Sequence, residues 1–226
     1  MARRLLPSSL IILQLAASPL LAAGPSKNPA ALSAKQRGDA AAARNDVAGA
    51  EQAYKEAITQ DPKYFDAAMA LGELLFNTDR YSDAATVFEV AANMDPAEAS
   101  ARYNLAYSLR KAGRYPEAVK QYQQYLQLKP GDPDAYYGLA ESEQALGMKR
   151  EAAADFRKYV ELEKRPSEME WVQKAQQAAE KLERDVAAEA AAAQRAATPS
   201  AQPAQPAAAA PAPATTSPAP ATTTAP

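Results

Sequence analysis

Apolar residues recur along this chain at helical spacing, in short stretches that polar turns interrupt at even intervals. Ala68, Leu71 and Leu75 fall three and four residues apart, so they share one helix face; after a turn, Ala84, Val87, Phe88 and Ala91 repeat the pattern. The two stripes predict a pair of short helices packed as a hairpin. The landmarks then return at one fixed step, from Gly38 to Gly72, Ala106 and Ala140, and from Ala50 to Ala84, Ala118 and Ala152. Small residues at these two places let paired helices approach closely. The aromatic four residues after the second place (Tyr54, Phe88, Tyr122, Phe156) fills the space between them. A period of this length predicts stacked units, each too small to bury its own apolar face.

Turn chemistry follows the same period. Asn45, Asp79, Gly113 and Gly147 hold equivalent places, and these types best tolerate the left-handed backbone that ends a first helix. Pro62, Pro96 and Pro130 stop the second helices and open the turn to the next unit. Pro116 falls at the start of a second helix, where a missing N–H costs little, and Asp132 with Pro133 is placed to cap the helix that follows.

In period, and in the order of small, large and aromatic residues, this stretch resembles the tetratricopeptide repeat (TPR) family. The resemblance implies an all-α fold: a TPR-type solenoid of helical hairpins over 31–166, with three good repeats and a degenerate fourth. Three departures stand out. Arg37 replaces a large apolar residue, the fourth unit has Pro166 but no proline at 164, and the fourth place (Ala34, Ala68, Arg102, Tyr136) lacks tryptophan. The resemblance also implies that the first helices line a concave groove through the fifth, ninth and twelfth places of each unit. On this chain those are Lys35, Asp39 and Ala42; Met69, Glu73 and Phe76; Tyr103, Tyr107 and Arg110; and Tyr137, Glu141 and Gln144. Such a groove has a Met–Phe–Tyr floor with carboxylates along it, a surface that desolvates well and adapts in shape. The alternative for several of the tyrosines is packing between helices. One subfamily clamps a terminal carboxylate with lysines, an arginine and asparagines; only Asn104 and Lys35 resemble fragments of that clamp, and Glu73 and Glu141 would repel an acidic ligand. The expected partner is a protein or peptide segment, neutral to basic and partly apolar.

The ends read differently. Residues 167–195 predict one long helix whose stripe of Trp171, Ala175, Ala178, Leu182 and Val186 covers the last repeat's apolar face; a dimerising coiled coil is the competing reading. Residues 1–23 have the pattern of an export signal, with Arg3 and Arg4 before an uncharged apolar run and small residues at 22–24; an uncleaved membrane anchor is the rival. Either way the repeats lie outside the cytoplasm. Residues 24–30 read as a flexible lead-in, and 196–226, built from Ala, Pro, Thr, Ser and Gln with one Arg before them, as a disordered tail.

Composition narrows the chemistry. The 226 residues contain no histidine and no cysteine, which removes imidazole and thiolate metal sites, Ser–His triads, thiol nucleophiles and disulfides. A formal charge of −2 with no basic run argues against nucleic acid. Glu141 and Glu143 lie two apart and point to different faces, Asp132 and Asp134 are better explained as caps, and no pair of inward carboxylates or glycine-rich phosphate loop is legible. No catalytic residue, metal site or cofactor is expected. The function expected is an exported TPR scaffold that binds extended segments or partner proteins in the cell envelope. The alternative is a structural tether in which the repeats are a spacer and the tail sets location.

Overall fold

The computed structural model describes residues 26–197. The expectations for 1–23 and for 198–226 lie outside the described residues. Contacts divide the chain into one unit up to Ala188 and a second from Glu189, of which the described part is the end of the last helix.

The first unit is a row of helix hairpins. Helix α1 (Pro29–Ala43) pairs with α2 (Val47–Gln60), α3 (Phe65–Asn77) with α4 (Tyr81–Met94), α5 (Ala99–Lys111) with α6 (Tyr115–Leu128), and α7 (Pro133–Ala145) with α8 (Lys149–Leu162). A 3-10 turn (Pro166–Glu168) leads into α9 (Met169–Ala197), and no strand occurs among the described residues. The fold is the all-α hairpin solenoid that the periodicity predicts.

The four inner turns are closed in one way. Asn45, Asp79, Gly113 and Gly147 have φ of 60°, 58°, 75° and 74°. The next N–H in each case (Asp46, Arg80, Arg114, Met148) donates to the carbonyl five residues back, always at 2.9 Å. That bond needs a left-handed residue just before it, which is why the composition at this place is restricted. Asn45→Ala is therefore expected to cost about 1 kcal/mol, because alanine tolerates the left-handed region worse than asparagine, whereas Asn45→Gly holds or raises stability. Thermal melts of the two variants check it.

Inside the hairpins, ring meets glycine. A Cβ on Gly72 would lie 2.5 Å from the Phe88 ring, and one on Gly38 would lie 2.5 Å from Tyr54. The third unit has Ala106 at this place, and its aromatic, Tyr122, is fully buried and leans on Gly138 of the next hairpin, where a Cβ would come within 2.4 Å. One apolar core runs from Ala41 through Leu75, Phe88 and Leu109 to Leu139, so neighbouring hairpins share it. A smaller cluster around Ala34, Ala57 and Tyr64 joins the first hairpin to the second.

Helix α9 covers the last hairpin: Ala175, Ala179 and Leu182 are buried against Ala152, Phe156 and Tyr159, with Val172 beside them. The stripe is thus turned from the one expected. Val172 and Ala179 face inward, while Trp171 is 45% exposed and makes a T-shaped ring contact with Tyr137. α9 also continues two residues past 195.

One further expectation is corrected, and two departures from the family pattern find a structural answer. From Ser26 the lead-in is held rather than loose: its hydroxyl donates to Asp61, and the Asn28 amide donates to the Gln60 carbonyl at 2.8 Å while its Oδ1 caps α1, which begins at Pro29. Arg37 does not weaken the docking of α1, which packs through Ala31, Ala34, Gly38 and Ala41, because it points outward to Glu56 at 2.6 Å. The fourth hairpin replaces its missing proline with an ionic closure. Buried Glu163 accepts from the backbone N–H of Arg165 at 2.7 Å, and the Arg165 guanidinium reaches back to Asp134 at 2.6 Å. The Arg165 guanidinium holds the Glu163 carboxyl down at about 2.

Candidate functional site

Places five, nine and twelve of a unit are four and three residues apart, so each first helix shows them as one stripe. All twelve positions carried over by the family resemblance line three cavities. The first, of about 520 Å³, lies between α1 and α3 and holds Lys35, Asp39, Ala42, Met69 and Glu73, with Asp66 beside them. The second, about 380 Å³, lies between α3 and α5 and holds Glu73, Phe76, Tyr103 and Tyr107, with Asn77 and Asn104. The third, about 620 Å³, is walled by α5, α7 and α9 and holds Arg110, Tyr137, Glu141 and Gln144, with Lys111 and Lys174.

The middle is a wall of rings. Phe76 stacks on Tyr107 at 5.0 Å and Tyr107 on Tyr103 at 6.2 Å, with interplanar angles of 28° and 20°. Tyr81 closes the outer edge against Phe76 at 5.1 Å. The Arg110 guanidinium lies 4.8 Å over the Tyr107 ring and pairs with Glu141 of the next hairpin. At the other end Lys35 pairs with Asp39 at 2.9 Å, and the Tyr54 hydroxyl donates to the same carboxylate. Burial, and then Asp39, push the Tyr54 hydroxyl up to about 12.

Two of the tyrosines also do the structural job that was the alternative for them. Tyr103 packs against Tyr122 and Tyr125, and burial raises its hydroxyl well above the usual phenol range. Tyr137 meets Phe156, Tyr159 and Trp171 at 5.1–5.5 Å and is pushed up to about 12, by burial first and by Glu141 next. Phe76 and Tyr107 stack on each other instead, and both line the middle cavity.

Two cations in the third cavity escape the repeat mapping. Lys111 follows Arg110 by one place, so it lies outside the five–nine–twelve stripe, yet its Nζ comes 5.9 Å from the rings of Tyr81 and Tyr107. Lys174 belongs to α9, which no repeat register places, and sits 4.4 Å over Trp171. The signal for it was its i,i+3 spacing from that tryptophan.

A pair of inward carboxylates does exist, contrary to the sequence reading. Glu141 faces the groove, but Glu143 occupies the place held by Leu75 and Leu109 in the preceding units and is 2% exposed. Its neighbour is Asp155 of α8, its Oε2 has no hydrogen-bond partner, and burial pushes both carboxyls up, Glu143 to about 8. The partner was invisible in the sequence because α7 and α8 had to be superposed to bring the two together. Neither carboxylate lines any of the three cavities above, and no group of three or more potential metal ligands occurs among the described residues.

Comparison with known proteins agrees with this architecture. A search of curated proteins gave no match. Among solved structures, the chain is similar in fold to a MamA protein (22% identity over 59% of this chain and 73% of that one, TM-score 0.56). It is likewise similar to MamA MSR-1 (24%, 58% and 76%, 0.54) and to a double mutant of MamA RS-1 (24%, 61% and 76%, 0.55). The tetratricopeptide repeat model matches at residues 35–100, 78–133 and 103–169, together more than half of the chain. The chain belongs to the tetratricopeptide repeat family, and its hairpins form a scaffold for protein–protein interaction.

Proposed function

We propose that the protein is an exported scaffold that gathers partners in the cell envelope by laying their extended segments along the inner face of α1, α3, α5 and α7. The observation that carries this reading is the convergence of all twelve inner-stripe positions on three adjoining cavities. Stacked rings give up water readily, and side-chain amides at Asn77, Asn104 and Gln144 stand beside them to meet a ligand's backbone. Asp66 and Glu73 favour a neutral or basic, partly apolar segment in the first two cavities. Export rests on the leader pattern of residues 1–23. No described helix is long and apolar enough to cross a membrane.

The test is capture from an envelope fraction by the full chain, by a Phe76→Ala/Tyr107→Ala variant, and by an outer-face Val90→Ala control. Loss of the same partners with the groove variant alone is the expected result. Equal recovery by all three, with melting temperatures matched, would move the binding surface off the inner face. Partners found only in the cytosolic fraction would contradict the location.

A further inference from the structure

We infer that the groove is electrically polarised along its length. It is shaped for an extended segment of a partner protein with a basic residue at one end, apolar residues in the middle and an acidic residue at the other. This deepens the groove reading above and rests on it.

The charges sort by cavity. Between α1 and α3, three carboxylates (Asp39, Asp66, Glu73) meet one cation, Lys35, which is spent on Asp39. Asp66 and Glu73 have no ion-pair partner among the described residues. Between α5, α7 and α9 the balance reverses: Arg110, Lys111 and Lys174 face one carboxylate, Glu141, which is taken by Arg110. Lys174 also meets Glu170, but that carboxylate is 75% exposed and stands outside the cavity. Lys111 has no ion-pair partner among the described residues. The wall of Phe76, Tyr107 and Tyr103 separates the two ends and offers carbon rather than charge.

This pattern selects by mismatch as much as by match. A segment basic throughout meets the free Asp66 and Glu73 at one end, but would bring its other cations against Lys111, beside a Lys174 that Glu170 only partly neutralises from outside the cavity. A segment acidic throughout suffers the reverse. Neighbouring first helices are about 10 Å apart, so two steps separate the ends by about 20 Å, roughly six to eight residues of extended chain. Charge fixes which end of the segment lies where relative to the hairpins, and leaves chain direction to the backbone contacts.

Fluorescence anisotropy with labelled peptides of about eight residues tests this on the full chain. One set carries lysines at one end, leucine and tyrosine in the middle and glutamates at the other, in both chain directions; the controls carry lysines, or glutamates, at both ends. The dipolar set is expected to bind at least about tenfold more tightly than either control at low salt. Lys111→Glu should shift preference to the basic control, and Glu73→Lys to the acidic one. If the basic control binds the unaltered protein as well as the dipolar peptides, or if no peptide binds, the polarity is overturned. Where no peptide binds, the Phe76→Ala/Tyr107→Ala capture above tells failure of the polarity from failure of the groove; where the basic control binds, Tyr107→Ala does so. Loss of the basic peptide leaves the groove as the binding face, and unchanged binding removes it too.

Discussion

Replacing Glu143 and Asp155 by leucine and valine, the residues that the second hairpin holds at these two places (Leu75, Val87), is expected to raise the melting temperature by roughly 10 °C at pH 8 and by less than half of that at pH 5. A carboxyl in a leucine's place is taken out of water without an ion-pair partner, so the native state holds it protonated until about pH 8, whereas the unfolded chain releases that proton near 4.5. The sign follows from the proton count. Between pH 4.5 and 8 the native state binds more protons than the unfolded one, so stability falls as pH rises through this window. Below it both states are protonated and the penalty vanishes; above it the native state must carry a buried charge. The full cost is of order 3 kcal/mol. Glu163 acts in the opposite sense. Its native value near 2 means that its contribution is complete above 4.5 and is lost as pH falls from there toward 2. Stability of the unaltered protein should therefore peak near pH 5. Thermal melts from pH 3 to 9 check both slopes, and a melt that is flat between pH 5 and 8, or a double variant no more stable at pH 8, would remove the buried pair from the account.

Phe88→Ala is expected to cost about 3–5 kcal/mol and to split unfolding into two transitions. Phe88 is 1% exposed and sits in the stretch of core that joins the second hairpin to the third. Its loss leaves a cavity where the stack is continuous, so hairpins on either side can melt apart. Gly72→Ala probes the same contact from the other side. Alanine gains about 1 kcal/mol of helix propensity over glycine, but its Cβ would stand 2.5 Å from the Phe88 ring and force it to shift, at about 1–3 kcal/mol. A net loss is expected, read by urea unfolding. A gain from Gly72→Ala would show that the ring moves aside and that the close approach is not what the glycine serves.

The repeat itself was legible because backbone geometry restricts composition at fixed places: left-handed residues at 45, 79, 113 and 147, and small residues opposite large rings. Those constraints are local and leave a mark in one chain. The groove stripe came from the family resemblance, which supplies places five, nine and twelve of each unit; helix spacing then puts those three on one face. What escaped was whatever depends on a second element. The inward face of α9 differs from the expected stripe by the choice of Val172 over Trp171, two residues adjacent in sequence that only the hairpin's surface distinguishes. Lys174 joins the groove from that helix. Asp155 meets Glu143 across a hairpin, and Arg165 stands in for a proline by reaching Asp134, 31 residues away. None of these pairings has a period.

The central claim is that partners lie along the first helices, and hydrogen–deuterium exchange on the full chain, with and without the partner captured from the envelope, tests it most directly. Protection is expected to gather on α3, α5 and α7, around Glu73–Asn77, Tyr103–Lys111 and Tyr137–Gln144, with the outward faces of α4, α6 and α8 unchanged. Protection confined to the second helices, with the first helices exchanging as before, would contradict it.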